Sequence, residues 1–181
     1  MSTMEELVAA RDLAERAMNY VERCGFAISV YSQKHECNLP PEGGDDCEYY
    51  GMGCYIGTFR IAAGVAPDPA DEDGSVNDGA QLRVALEAAD AVALEAIRSR
   101  GLEEQVREQW TGGDLGREAW VESEPLGEGV PPGRLVEALG FADERLLVET
   151  RRDSQEAALG TLRNVLTRLN SETQEREAVP A

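Results

Sequence analysis

The sequence is short of basic residues, with one lysine, Lys34, and one histidine, His35, among 181 residues. Lysine and arginine together number 17 against 35 acidic residues, which gives a net charge of −18 at pH 7. Binding to nucleic acid requires clustered cationic side chains that contact the phosphates. The composition therefore predicts no direct contact with DNA or RNA, and it favours a basic protein as the partner.

Long hydrophobic runs are also lacking, since no apolar stretch approaches the ~18 residues that a membrane span requires. Near the N-terminus, Glu5 and Glu6 stand where a signal peptide would carry cations followed by an apolar segment. We therefore expect a cytoplasmic protein that makes no use of a membrane. The hydrophobic fraction of 42% is nevertheless sufficient for a folded core.

Three stretches have the spacing of apolar residues that is typical of amphipathic helices, near residues 4–24, 79–100 and 154–170. The first begins with overlapping capping boxes, in which Thr3 and Glu6 form one pair, and it ends at Gly25. We expect one folded domain over residues 1–170. It is followed by a polar tail at residues 171–181 that has no core-forming pattern.

Two further stretches alternate in the manner of β-strands, Phe26 to Tyr31 and Tyr55 to Ala62. We expect them to be neighbours in one small, mostly antiparallel sheet. The predicted fold class is therefore α+β, with amphipathic helices covering the sheet and with long acidic loops rich in glycine and proline.

A histidine and three of the four cysteines lie within 20 residues, at His35, Cys37, Cys47 and Cys54. One imidazole and three thiolates form a tetrahedral set that zinc accepts, and an ion would order the long loop around them. The spacing lacks the close ligand pairs of zinc fingers, so two alternatives stay open. One is a Cys37–Cys47 disulfide, and the other is free thiols beside a solvent-facing His35.

No other cofactor or catalytic motif is predicted. The glycines at positions 51 and 53 precede the predicted strand Tyr55 to Ala62, and Gly57 lies within it, so they do not open a predicted helix, which excludes a dinucleotide fingerprint. An EF-hand aligned on Gly74 would place Ala80 where a bidentate glutamate is required. His35 and Cys37 have no third group to orient the imidazole. We therefore expect that the protein is not an enzyme.

The negative charge is concentrated in three segments, 36–48, 68–78 and 114–128, which hold 14 of the 18 net charges. They either form one acidic surface for a partner or are separate solvated linkers. Aromatic residues beside these segments are candidate anchors. The predicted partner-binding residues are Asp45, Asp46, Tyr49, Tyr50, Asp71, Asp73 and Trp120.

The leading hypothesis is a non-enzymatic acidic protein that binds another macromolecule, as an inhibitor or antidote that covers a basic, nucleic-acid-facing surface. Opposite charge would speed the encounter, and aromatic anchors would supply the desolvated contacts. The alternative is a structural subunit of a larger assembly, with a zinc ion that stabilises the loop.

Overall fold

The computed structural model describes residues 2–26, 54–65, 79–111, 119–143 and 151–178. Helices account for most of these residues, and no strand occurs among them. In chain order the helices are α1 (Met4–Cys24), α2 (Tyr55–Ala62), α3 (Ala80–Arg100), α4 (Glu103–Thr111), α5 (Ala119–Glu122), α6 (Arg134–Ala142) and α7 (Arg151–Glu177).

The predicted α+β class is therefore wrong for the part of the chain that is described, which is all-helical. Residues Tyr55–Ala62, predicted as a strand, form α2. Of the other predicted strand, Phe26 is described and the rest lies outside the described residues. The ring of Phe26 packs on that of Tyr55, with centroids 4.6 Å apart, so the end of α1 and the start of α2 meet.

The strand prediction for Tyr55–Ala62 was wrong because seven of the eight residues of α2 are buried. A helix that is enclosed on every side has no polar face, so its hydrophobic residues do not show the 3.6-residue period. Helices α1, α3 and α6 all contact α2. Packing against them overrides the β-propensity of isoleucine, threonine, phenylalanine and tyrosine.

The three long predicted helices are confirmed as α1, α3 and α7. The capping box that begins α1 is present, because Thr3 Oγ1 accepts a hydrogen bond from Glu6 N at 3.1 Å and Glu6 Oε2 accepts one from Thr3 N at 2.6 Å. Although these helices have 21, 21 and 27 residues, no helix in the described ranges is both long and apolar enough to cross a membrane.

Helix α7 lies antiparallel to α1 along most of its length. Near the start of α7, Gln155 Nε2 donates to the carbonyl of Val21 at 2.8 Å, and near its end Arg176 donates to the carbonyl of Ser2. The helix continues to Glu177, where a polar tail was expected, and Thr173 within it is buried. Helix α3 packs against both α1 and α7. The core that the three helices share contains Leu7, Leu13, Val21, Ala89, Ile97, Leu162, Val165 and Leu169.

Candidate functional site

Most of the predicted site residues lie outside the described residues. This holds for three of the four predicted zinc ligands, His35, Cys37 and Cys47, and for six of the seven predicted partner-binding residues, Asp45, Asp46, Tyr49, Tyr50, Asp71 and Asp73. Cys54 and Trp120 are the two that the structure describes.

The thiol of Cys54 is buried at the start of α2, with 3% of the residue exposed. Burial and the nearby carboxylate of Glu137 raise the pKa of this thiol far above its ordinary value. A nucleophilic cysteine must be a thiolate, which this environment disfavours. Cys24, to which the sequence assigned no role, is disulfide-bonded.

The described residues offer little for metal-dependent or acid–base catalysis. No group of three or more histidine, cysteine, aspartate or glutamate side chains there could hold a metal ion. Two open grooves are present, of about 650 Å³ between α1 and α2 and about 560 Å³ between α3 and α7. The first is lined by Arg16, Glu22 and Arg23, the second by Glu95 and Arg168. Among the described residues that line them, each groove holds a single carboxylate, so these residues supply no pair of carboxyl groups for acid–base catalysis.

The side chain of Glu137 caps a helix that is distant in sequence. Its Oε1 accepts a hydrogen bond from Ile56 N at 2.7 Å, across 81 residues of chain, and it also interacts with the backbone N–H of Tyr55 and the thiol of Cys54. These amides belong to the first turn of α2, whose N-cap residue forms no side-chain cap. Glu137 therefore satisfies N–H groups that no local residue serves.

Asp90 performs the same task for the helix that carries Glu137. Its two carboxylate oxygens accept hydrogen bonds from Gly133 N at 2.6 Å and from Val136 N at 3.0 Å, at the start of α6. The N–H of Leu135 adds a third interaction. Asp90 itself lies in the middle of α3, so a carboxylate on α3 anchors α6 and one on α6 anchors α2.

Both carboxylates are almost fully enclosed, with 5% of Asp90 and 7% of Glu137 exposed. No local pattern marked them, because Asp90 stands in the middle of α3, Glu137 in the first turn of α6, and each serves amides of another element. The available signal was an acidic residue within an apolar run, such as Asp90 among alanines in AADAVAL. A charged side chain in that position is rarely buried unless it has partners.

A second group of acidic side chains, most of them exposed, belongs to α4, α5 and the turn after α5, which Arg107 joins. The guanidinium of Arg107 on α4 donates to the carbonyl of Val121 and, at 3.0 Å, to that of Ser123. It also pairs with Glu124 at 3.1 Å. One arginine thus fastens the turn that follows α5 to the side of α4.

This attachment places the turn after α5 against α4. We call the six glutamates of α4, α5 and this turn the acidic surface: Glu103, Glu104, Glu108, Glu122, Glu124 and Glu128. Five of them are exposed and Glu103 is half-buried. With Arg107 they carry a net charge of −5, and Glu103 also pairs with Arg98 of α3 at 3.8 Å. The acidic surface includes part of the predicted acidic segment 114–128 and adds the glutamates of α4, which sequence analysis did not assign to it.

Contacts with the hydrophobic core also hold the turn that follows α5. Trp120 and Leu126, each 2% exposed, are part of the hydrophobic core. Ser123 Oγ lies 2.6 Å from the carbonyl of Trp120 and accepts from Glu128 N at 3.1 Å. Trp120, predicted as a partner-binding residue, therefore packs inward in this structure and anchors the turn.

Comparisons with known proteins found no matching family model, no similar curated protein and no similar solved structure.

Proposed function

We propose that this protein binds a basic surface of another protein through the acidic surface, as an inhibitor or antidote that covers a surface used for nucleic acid. The observation that carries the proposal is the arrangement around Arg107. Arg107 donates hydrogen bonds to the carbonyls of Val121 and Ser123, while five of the six glutamates of the acidic surface stay exposed.

A negative surface of this kind favours binding in two ways. Opposite charge raises the rate of diffusional encounter, and the effect weakens with salt. Because Trp120, Leu126 and Arg107 already order the turn, less conformational entropy is lost when a partner binds. A flexible acidic linker would offer the first advantage without the second.

The test compares two double variants that have the same net charge. Glu104→Gln with Glu128→Gln neutralises two exposed positions of the acidic surface. Glu15→Gln with Glu175→Gln neutralises two exposed positions on α1 and α7. The probe is a labelled nona-arginine peptide, whose association rate is measured by stopped-flow fluorescence at low and high salt.

We expect the first variant to associate roughly threefold more slowly than the wild type at low salt, and the second to differ little. The first variant should also compete less well with duplex DNA for the peptide. Equal rates for the two variants would show that only total charge matters. In that case the proposal fails, and the role of a subunit in a larger assembly becomes the better explanation.

A further inference from the structure

The open groove between α3 and α7, which we call the α3–α7 groove, has no part in the function proposed above. Its volume of about 560 Å³ is within the range of small-molecule sites in proteins. Along α7 the lining residues extend from Thr161 to Ser171, a length of about 15 Å at the rise of an α-helix. A groove of this length and volume suits a linear molecule.

Four hydroxyl groups line the α3–α7 groove, and each donates its hydrogen to a carbonyl of its own helix. They belong to Ser99, Thr161, Thr167 and Ser171, and the acceptor carbonyls lie three or four residues earlier at 2.9 to 3.3 Å. A hydroxyl has a single hydrogen and two lone pairs. Because the hydrogen is engaged, each oxygen presents only lone pairs to the groove, and a ligand must supply the donors.

The two charged residues that line the groove differ in their partners. Arg168 is paired one turn further along α7, where its Nε lies 3.0 Å from Oε1 of Glu172. Glu95 is exposed, and it forms no hydrogen bond or ion pair with any residue in the part of the chain that the structure describes. The charge that remains available to a ligand is therefore negative, which favours a cation.

The same groove has an apolar wall. Val92 and Ala96 of α3 are half-buried, and Leu139 of α6 is 3% exposed. Methylene groups of a ligand would lose contact with water against these side chains, which is favourable. An anion, in contrast, would meet a carboxylate and hydroxyl lone pairs, so the lining disfavours it.

We propose that the α3–α7 groove binds a small linear aliphatic amine. The ammonium group pairs with Glu95 and donates to the hydroxyl oxygens, and the methylene chain lies against the apolar wall. None of the residues involved belongs to the acidic surface, so this proposal and the proposed function can fail independently. A lysine side chain of a peptide offers the same chemical groups, and the last experiment below separates these two sources.

The first experiment titrates the ¹⁵N-labelled protein with 1-pentylamine at pH 7 and follows the backbone amides by NMR. We expect saturable shifts at Ala96, Asn164 and Thr167, and smaller shifts that do not saturate at Glu104 and Glu122 of the acidic surface. The neutral 1-pentanol and the anion pentanoate should bind roughly tenfold more weakly than the amine. Equal binding of pentanoate, or amine shifts confined to the acidic surface, would overturn the proposal.

Two single variants that lose the same charge test the role of Glu95. Glu95→Gln should raise the Kd for 1-pentylamine roughly fivefold, because the ammonium group loses its counter-charge. The control is Glu87→Gln, two turns earlier on α3, where the side chain is 53% exposed and lies 3.7 Å from Arg83. It should change the Kd by less than about twofold. The same Kd for both variants would refute the pairing with Glu95.

The last experiment compares 1-pentylamine with N-acetyl-lysine amide, which carries its ammonium group on a side chain attached to peptide groups. We expect the free amine to bind at least about threefold more tightly, since peptide groups bring acceptors as well as donors into a groove lined by acceptors. Tighter binding of the lysine derivative would overturn the assignment to a free amine and would identify a lysine side chain as the occupant.

Discussion

The molecule uses carboxylates in two contrasting regions. At the junction of α3, α6 and α2, Asp90 and Glu137 are buried and bind backbone amides, without an ion pair among the described residues. On the acidic surface, glutamates are exposed around Arg107, which pairs with Glu124. The same chemical group therefore fixes the fold in one region and leaves charge for solvent or a partner in the other. Net charge alone does not distinguish these uses.

The largest effect is expected from removing a buried cap. Asp90→Ala leaves the amides of Gly133, Leu135 and Val136 without their acceptor, and should lower the free energy of unfolding by about 3 kcal/mol. Urea denaturation near pH 6 measures this change in the free energy of unfolding.

The control for the cap is Asp12→Ala on α1, since the Asp12 side chain is 57% exposed and pairs with Arg11 at 2.9 Å. It should change the free energy of unfolding by less than about 0.5 kcal/mol. Similar losses in both variants would mean that Asp90 is no more important than a surface aspartate.

The second-largest loss of stability is expected at Gly133, which immediately precedes α6 and lies close to α2. Its φ is +90°, and a Cβ there would lie 2.9 Å from Ile56 Cγ1. Gly133→Ala should therefore lower the free energy of unfolding by about 2 kcal/mol, through backbone strain and displacement of α2.

Gly129 provides a matched control because its φ is +72° and a Cβ there would meet nothing within 4 Å. Gly129→Ala should lower the free energy of unfolding by only about 1 kcal/mol, the contribution of the backbone alone. If both glycines give the same loss, the close approach of α6 and α2 contributes nothing to stability.

A smaller effect is expected at the centre of the acidic surface. Arg107→Lys keeps the positive charge but loses the planar fork that reaches the carbonyls of Val121 and Ser123 together. The free energy of unfolding should fall by about 1 kcal/mol.

Arg107→Lys also separates the effect of the ordered turn on binding from the effect of net charge. Association with nona-arginine should slow by roughly twofold although the net charge is unchanged, because the turn no longer holds its glutamates beside α4. An unaltered rate, measured alongside the loss of stability, would show that binding does not require the ordered turn.

Local signals in the sequence were sufficient to predict the three long helices. Thr3 and Glu6 form their capping box within four residues, and the apolar stripe of α1 faces the core as its spacing predicts. Such features depend on neighbours in sequence, so a single chain reveals them.

Helix α2 and the buried caps could not be predicted in the same way. The acceptor for Ile56 N is Glu137, 81 residues away, and nothing near Cys54 marks a helix start. Likewise, Arg107 joins α4 to α5 and to the turn after it, 14 and 16 residues further on, so the acidic surface combines glutamates from two segments. Long-range contacts of this kind do not leave a periodic pattern in the sequence.

The smallest effect, and one of opposite sign to the first, is expected when exposed charge is removed. Glu104→Gln with Glu128→Gln relieves repulsion within the acidic surface, and should raise the free energy of unfolding by no more than about 0.5 kcal/mol at low salt. The gain should vanish at about 1 M salt, where the Debye length is near 3 Å. Urea denaturation at both salt concentrations provides the measurement. A loss of stability comparable to that of Asp90→Ala would mean that these glutamates also hold the fold together, and the distinction between the two regions would no longer stand.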